Sequence, residues 1–288
     1  RAAGTASAPK RQKVRDIFVP RPFDGLADEA EWIALRELVP AASAPLRLKP
    51  EFTAEYGDRP ITLSTVLPMA WPAMARADGR VFVGLQRHVQ SGDVSRDLAV
   101  AILCALQTEP GETVSVPALP GEGPRLQDIL DDGPLEVELH DSFEYWLDAE
   151  QAKDATVQAS LERANASIYP TVRLSAGPGA YWCRVPEKGH VRWVLPQEED
   201  AALDALARLS AAGELLLGAG TKFAGMFRAH GLLVPVWDIP QDPPAADWEE
   251  PLASFAKRYA DALAEPGPLD GAARRAKQGL VGRQLTLR

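Results

Sequence analysis

The densest gathering of chemically capable residues lies in Glu214–Gly231. Gly218-Ala-Gly220-Thr221 runs directly into Lys222, and Arg228 and His230 follow. A glycine-rich turn ahead of a helix exposes backbone N–H groups that can hold a phosphate or a carboxylate. Lys222 and Arg228 would add positive charge, and His230 sits at the end of the segment. Gly218, Gly220, Thr221, Lys222, Arg228 and His230 therefore form a candidate anion-binding set. Its spacing is not the phosphate loop Gly-x4-Gly-Lys-Ser/Thr, nor Gly-x-Gly-x-x-Gly, because Gly225 comes five residues after Gly220. The plainer alternative is a tight strand-to-helix turn whose cations are solvated or paired with acids.

Other reactive types are scattered. His88, His140, His190 and His230 form no His-x3-His pair, and Cys104 and Cys183 have no neighbour at metal-ligand spacing. Cys104 sits in an apolar run and Cys183 follows Tyr181-Trp182, so both read as core thiols of a reducing compartment. The acid pairs Asp131-Asp132, Glu198-Glu199 and Glu249-Glu250 fall at turns and helix starts, where the helix dipole accounts for them. No Gly-x-Ser-x-Gly elbow and no Ser/Lys or Cys/His nucleophile pattern occurs. We assign no catalytic residue, no metal and no cofactor, and lean away from an enzyme.

Charge is spread unevenly. Residues 1–15 carry Arg1, Lys10, Arg11, Lys13 and Arg15, and residues 274–288 carry Arg274, Arg275, Lys277, Arg283 and Arg288, with no acid in either stretch. The 31 cations of the chain thus leave 21 for the body, against all 40 acids, a net of −19. Such a body repels phosphate backbones, so a polyanion would be met only by the ends. No run approaches the ~20 apolar residues of a membrane helix. The opening segment has no apolar h-region of a signal peptide, and the chain opens on Arg1, so we expect it to begin upstream or to be processed.

The elements that would position these residues are α+β. Residues 1–15 are a disordered basic tail by composition, and 16–58 form an N-terminal extension with an extended apolar segment, Ile17-Phe18-Val19-Pro20, and a helix over Ala27–Val39. Strands are expected at Ile61–Val66, Arg80–Leu85 and Leu135–Leu139, with an Asp93- or Ser95-capped helix through Leu106 and a short helix at Leu126–Leu130. Residues 148–168 read as a connecting surface helix. The second half, 169–265, repeats the order of 59–147: strands near Thr171 and Gly189–Leu195, a helix over about 200–212 closed by Gly213, a strand Glu214–Leu217, a short helix Phe223–Phe227, and a strand Leu232–Trp237. This suggests a tandem β-β-α-α-β duplication, which would put His140 and His230 at comparable ends where they could share a metal or an acid–base role. Asp247-Trp-Glu-Glu250 has the pattern of a capping box opening a helix with Trp248, Leu252, Phe255, Tyr259 and Leu263 on one face. Residues 266–288 are the basic C-terminal tail. Trp71, Tyr181, Trp182, Trp193, Trp237 and Trp248 cluster around the strands and belong mostly to the core. An exposed subset would mark a protein-binding patch or a ligand groove.

Several strings carry a resemblance: Arg21-Pro-Phe-Asp-Gly-Leu26, Trp32 with Leu38-Val-Pro40, Lys188-Gly-His-Val-Arg-Trp-Val194, Gly218–Trp237 and the terminal Arg-Gln-Leu-Thr-Leu-Arg288. Together they resemble an uncharacterised actinobacterial family carrying a domain-of-unknown-function label, over Arg21 to Arg288. The resemblance implies a bacterial cytoplasmic protein and brings no activity with it. We therefore expect a non-enzymatic interaction or adaptor protein whose basic ends contact a ribosome, RNA or an acidic protein, without a membrane. The alternative is an enzyme or sensor for a small anionic ligand at 218–231.

Overall fold

Apolar residues recurring every three or four positions set the helices, and β-branched runs between turn residues set the strands. The structure, a computed structural model, describes residues 15–282. In chain order these form α1 (Glu29–Glu37), β1 (Ala42–Leu46), α2 (Pro50–Tyr56), β2 (Ile61–Val66), β3 (Ala73–Ala75), β4 (Val81–Gln86), α3 (Val94–Gln107), α4 (Leu126–Ile129), β5 (Glu138–Leu139), α5 (Ala155–Asn165), β6 (Thr171–Arg173), β7 (Ala180–Val185), β8 (Lys188–Trp193), α6 (Glu199–Ala212), β9 (Lys222–Ala229), β10 (Leu232–Ile239), α7 (Glu249–Ala264) and α8 (Gly271–Val281). The class is α+β, as expected. No helix among the described residues is long and apolar enough to cross a membrane.

Two five-stranded sheets result, in the orders β3-β4-β2-β1-β5 and β6-β7-β8-β10-β9. The second is antiparallel throughout. The first contains one parallel pair, β2 with β4.

Helix α1 lies between the sheets. Trp32, Ile33, Ala34 and Leu35 join a core that takes Leu63, Val83 and Leu85 from the first sheet and Tyr181, Phe227, Leu232 and Val234 from the second. The fully buried Glu31 ties them: it accepts from Arg173 Nη2 (2.8 Å), Gly179 N (2.7 Å) and the Tyr181 hydroxyl (2.6 Å). Burial, then the Glu31 charge, pushes the Tyr181 phenol far above its usual range. The outer face of the first sheet is covered by Phe143, Trp146 and Leu161. That of the second is covered by α6, α7 and α8, where Trp237 meets Phe255 edge-on at 4.9 Å.

Six expectations need correction, the first being that of the expected strand Leu135–Leu139 only Glu138–Leu139 pairs, as β5. Phe223–Phe227 is no helix but the middle of β9. Phe223 and Met226 enter the outer core while Phe227 and Ala229 enter the inner one, because the β9–β10 register shifts between Val236 and Trp237. A bulge of that kind breaks the two-residue period of a strand and leaves a spacing that mimics a helix. Glu214–Leu217 is not a strand, although Leu215 gives its carbonyl to Trp237 Nε1 at 2.8 Å. The capping box at Asp247 does not form: a short 3₁₀ turn, Ala245–Trp248, leads into α7, and Glu249 instead accepts from Ser175 and Ala176. Cys104 is only half-buried, whereas Cys183 is in the core. Within the expected C-terminal tail, Gly271–Val281 is helix α8, held to α6 by Ala273 and Leu280 and by Lys277 on Asp204 at 2.6 Å.

Candidate functional site

The sequence-derived anion set does not converge. Thr221 Oγ1 closes the turn on itself, donating to Gly218 O (2.7 Å) and accepting from Gly218 N (3.2 Å). Lys222 and Arg228 are both exposed and sit six residues apart on β9, about 20 Å at strand spacing. Arg228 is held by Glu199 (Nη2 2.6 Å), and that bond raises its pKa. His230 occupies a left-handed position (φ 48°) in the two-residue β9–β10 turn, followed by Gly231 (φ 87°). That pairing of signs is the hairpin turn matched to strand twist. Its Nε2 meets Glu37 Oε1 at 2.8 Å. Burial opposes the charge of Glu37, but the His230 bond and the Arg36 charge outweigh it and hold this carboxyl below the usual range.

The histidines are likewise kept apart. His140 lies over the outer face of the first sheet, where its Nε2 meets Ser43 Oγ at 2.7 Å and its ring stacks on Tyr145 at 4.2 Å. Tyr145 in turn bonds Ser64, the cross-strand neighbour of Ser43, at 2.7 Å. Burial lowers the His140 pKa. These contacts pin the 140–146 segment to the sheet. Of the basic-end residues, Lys10, Arg11, Lys13, Arg283 and Arg288 lie outside the described residues. Arg15 and Arg275 are exposed, and Arg274 donates to Leu269 O at 2.6 Å.

A different place gathers unusual features. All seven tryptophans are described, and Trp71 alone is exposed, at 45%. It follows a turn in which Met69 (φ 54°) and Ala70 (φ 49°) are consecutive non-glycine residues in the left-handed region, each costing about 1–2 kcal/mol. Met69 projects with 75% of its surface exposed. Immediately after comes β3, an edge strand. The register Met74↔Phe82, with Gly84 N on Pro72 O and Arg76 N on Arg80 O, fixes which backbone groups face β4. The N–H and C=O of Ala73 and Ala75 consequently face away from the sheet. Gly111 N takes Ala75 O at 2.9 Å.

Beside this strand lies a groove of about 400 Å³ whose lining includes Trp71, Met74, Glu112, Val114, Asp148 and Gln151. Arg76 lines it too, and holds the segment that leads to Asp148. Its guanidinium is buried, lies 5.2 Å from the Phe82 ring centre, and donates to Tyr145 O (3.2 Å), Leu147 O (2.9 Å) and Asp78 (3.1 Å). The bond from Arg76 outweighs burial and, with those from Arg80, drives the Asp78 carboxyl far below its usual range. Asp78 is shared between Arg76 and Arg80, and the lining of the groove also holds the carboxylates of Glu112 and Asp148.

A family model described as a family of unknown function, DUF5926, matches residues 22–288. The chain belongs to this family. No curated protein and no solved structure matches it. Membership covers both sheets and the groove together, so the groove is part of what the family model spans.

Proposed function

We propose that this DUF5926 chain is a cytoplasmic interaction protein rather than an enzyme, meeting partners at the β3 end of the first sheet and through its basic ends. The observation that carries this is Trp71: the other six tryptophans are in the core, and this one stands exposed next to a strained turn whose Met69 is exposed too. Tryptophan is over-represented among the few residues that dominate interface energy, and strain of this kind clusters where a chain does its work. The net charge of −19 on the body leaves a ribosome, RNA or acidic protein to the cationic ends. We also read the body as a duplication. In its favour, β3–β4–α3 and β7–β8–α6 are each an antiparallel hairpin leading into a helix of 14 residues.

Two experiments test the two surfaces. Because α8 docks through Leu280, deleting 274–288 would damage the core. The cleaner variant removes 1–15 and 283–288 and carries Arg275→Ala. At low salt the full chain should bind labelled poly(U) RNA in fluorescence anisotropy and this variant should not; equal binding removes the basic-end half of the proposal. For the other half, the proteins cross-linked to the chain in native cells should be lost on Met69→Ser with Trp71→Ser. An unchanged set would show that this end is no docking surface.

A further inference from the structure

Resting on the cationic ends proposed above, we infer that the N-terminal end binds single-stranded RNA, with Phe18 as the ring on which a base stacks. An extended apolar segment ordinarily buries its side chains against the body. Here the backbone docks and the side chains stay out. Val19 N donates to Gly92 O at 2.9 Å, and Gly92 N donates to Asp16 Oδ1 at 2.7 Å. A Cβ at Gly92 would stand 2.7 Å from Ile17 O and 2.8 Å from Phe18 Cα, so glycine is what lets the two backbones touch. The 87–92 loop is itself fixed: Arg87 Nη2 meets the buried Asp97 at 2.8 Å, and Ser91 N donates to the same carboxylate at 2.7 Å. Phe18 is nevertheless 78% exposed, more than any other large apolar side chain among the described residues. A free ring on a pinned backbone is a platform positioned before its ligand arrives.

Charge and shape name the ligand. Residues 1–15, directly before the ring in sequence, carry five cations and no acid, and Arg15 is exposed. Cations that follow a phosphate backbone, beside an aromatic face that accepts any base, are how single strands are held without sequence preference. The net charge of −19 on the body then selects among anionic partners. A bilayer or an acidic protein presents a broad face and would bring its charge against the acids of the body. A single strand need pass only over the end, and charges more than about 8 Å away are screened at physiological salt.

Fluorescence anisotropy of labelled poly(U) with the full chain, over a series of salt concentrations, tests this. Phe18→Ala should weaken binding at least about fivefold and leave the slope of log K against log salt unchanged, since no charge is removed. Phe18→Trp should bind as tightly as the parent or more so. Replacing Lys10, Arg11, Lys13 and Arg15 together by alanine should instead flatten that slope by up to about 3. Ile17→Ser should change binding by less than about twofold, because an aliphatic side chain offers no stacking face. Equal losses in Ile17→Ser and Phe18→Ala would mean general apolar contact and overturn the inference. If the parent binds poly(U) and Phe18→Ala binds it equally well, the basic-end reading stands and stacking alone falls. A parent chain that binds phosphatidylglycerol vesicles but not poly(U) would overturn both.

Discussion

The outer edges of the two sheets are built on opposite terms. β9 is eight residues long and, among the described residues, has β10 as its one strand neighbour, yet it carries the exposed cations Lys222 and Arg228 and bulges at Ala224, the residue left unpaired where the register with β10 shifts. Charge and a bulge are standard defences against unwanted pairing. β3 is three residues long, has no charge of its own and follows an exposed tryptophan, while Ala73 and Ala75 are themselves buried and Ala75 O is taken by Gly111 N. One edge is guarded by charge and a bulge, and the other is kept short and covered. An edge is therefore better judged by what stands on it than by its length.

The contrast can be broken or sharpened by substitution. The largest effect is expected where the sheets are joined: Glu31→Ala leaves the Tyr181 hydroxyl and Gly179 N–H buried without an acceptor and should cost about 3 kcal/mol in urea denaturation. Arg76→Leu should cost about 2 kcal/mol and raise amide exchange across residues 145–151, because it removes the bonds that hold the groove wall. Ala70→Gly should stabilise the fold by about 1 kcal/mol, since glycine tolerates the left-handed position; an unchanged or lower melting temperature would show that no strain resides there. Lys222→Ala with Arg228→Ala should alter stability by less than about 0.5 kcal/mol but raise self-association in sedimentation velocity, as expected of an edge stripped of its guards.

The smallest effect is acid sensitivity. The carboxyls of Asp78 and Glu37 are held below their unfolded values, so the stability they contribute is complete above about pH 5 and is lost as the pH falls through the folded values. Asp97, raised by burial, works in the opposite sense and eases as acid protonates it. Melting curves between pH 5 and pH 2 should decline less steeply in Asp78→Asn than in the parent. Parallel declines would show that Asp78 carries none of the effect.

Much of the helical framework was legible in the sequence. The three- and four-residue apolar spacing located α1, α3, α6 and α7, Asp93 capped α3 by accepting from Arg96 N, and Gly213 ended α6 in the left-handed conformation. The strand β9 was hidden by its own irregularity, because Phe223, Met226 and Phe227 at the bulge have helix-like spacing. The groove was hidden for two other reasons. Ala73-Met74-Ala75 has no alternation to detect, and the walls come from residues 111–114 and 148–151, far along the chain. Trp71 held the one usable clue. Composition could say that some tryptophans would be exposed, but only the fold could say which. The cations and histidines that drew attention first, Arg228 and His230, are occupied by Glu199 and Glu37, acids distant in sequence and adjacent in space.

The shared position of α1 has a consequence for synthesis. Glu31 leaves the ribosome more than 140 residues before Arg173, Gly179 and Tyr181, the groups that will satisfy it. A nascent chain that has completed only its first sheet therefore still exposes one flank of this helix and a bare carboxylate. Completion must wait for late, long-range pairings, which fold slowly and favour aggregation in the interval.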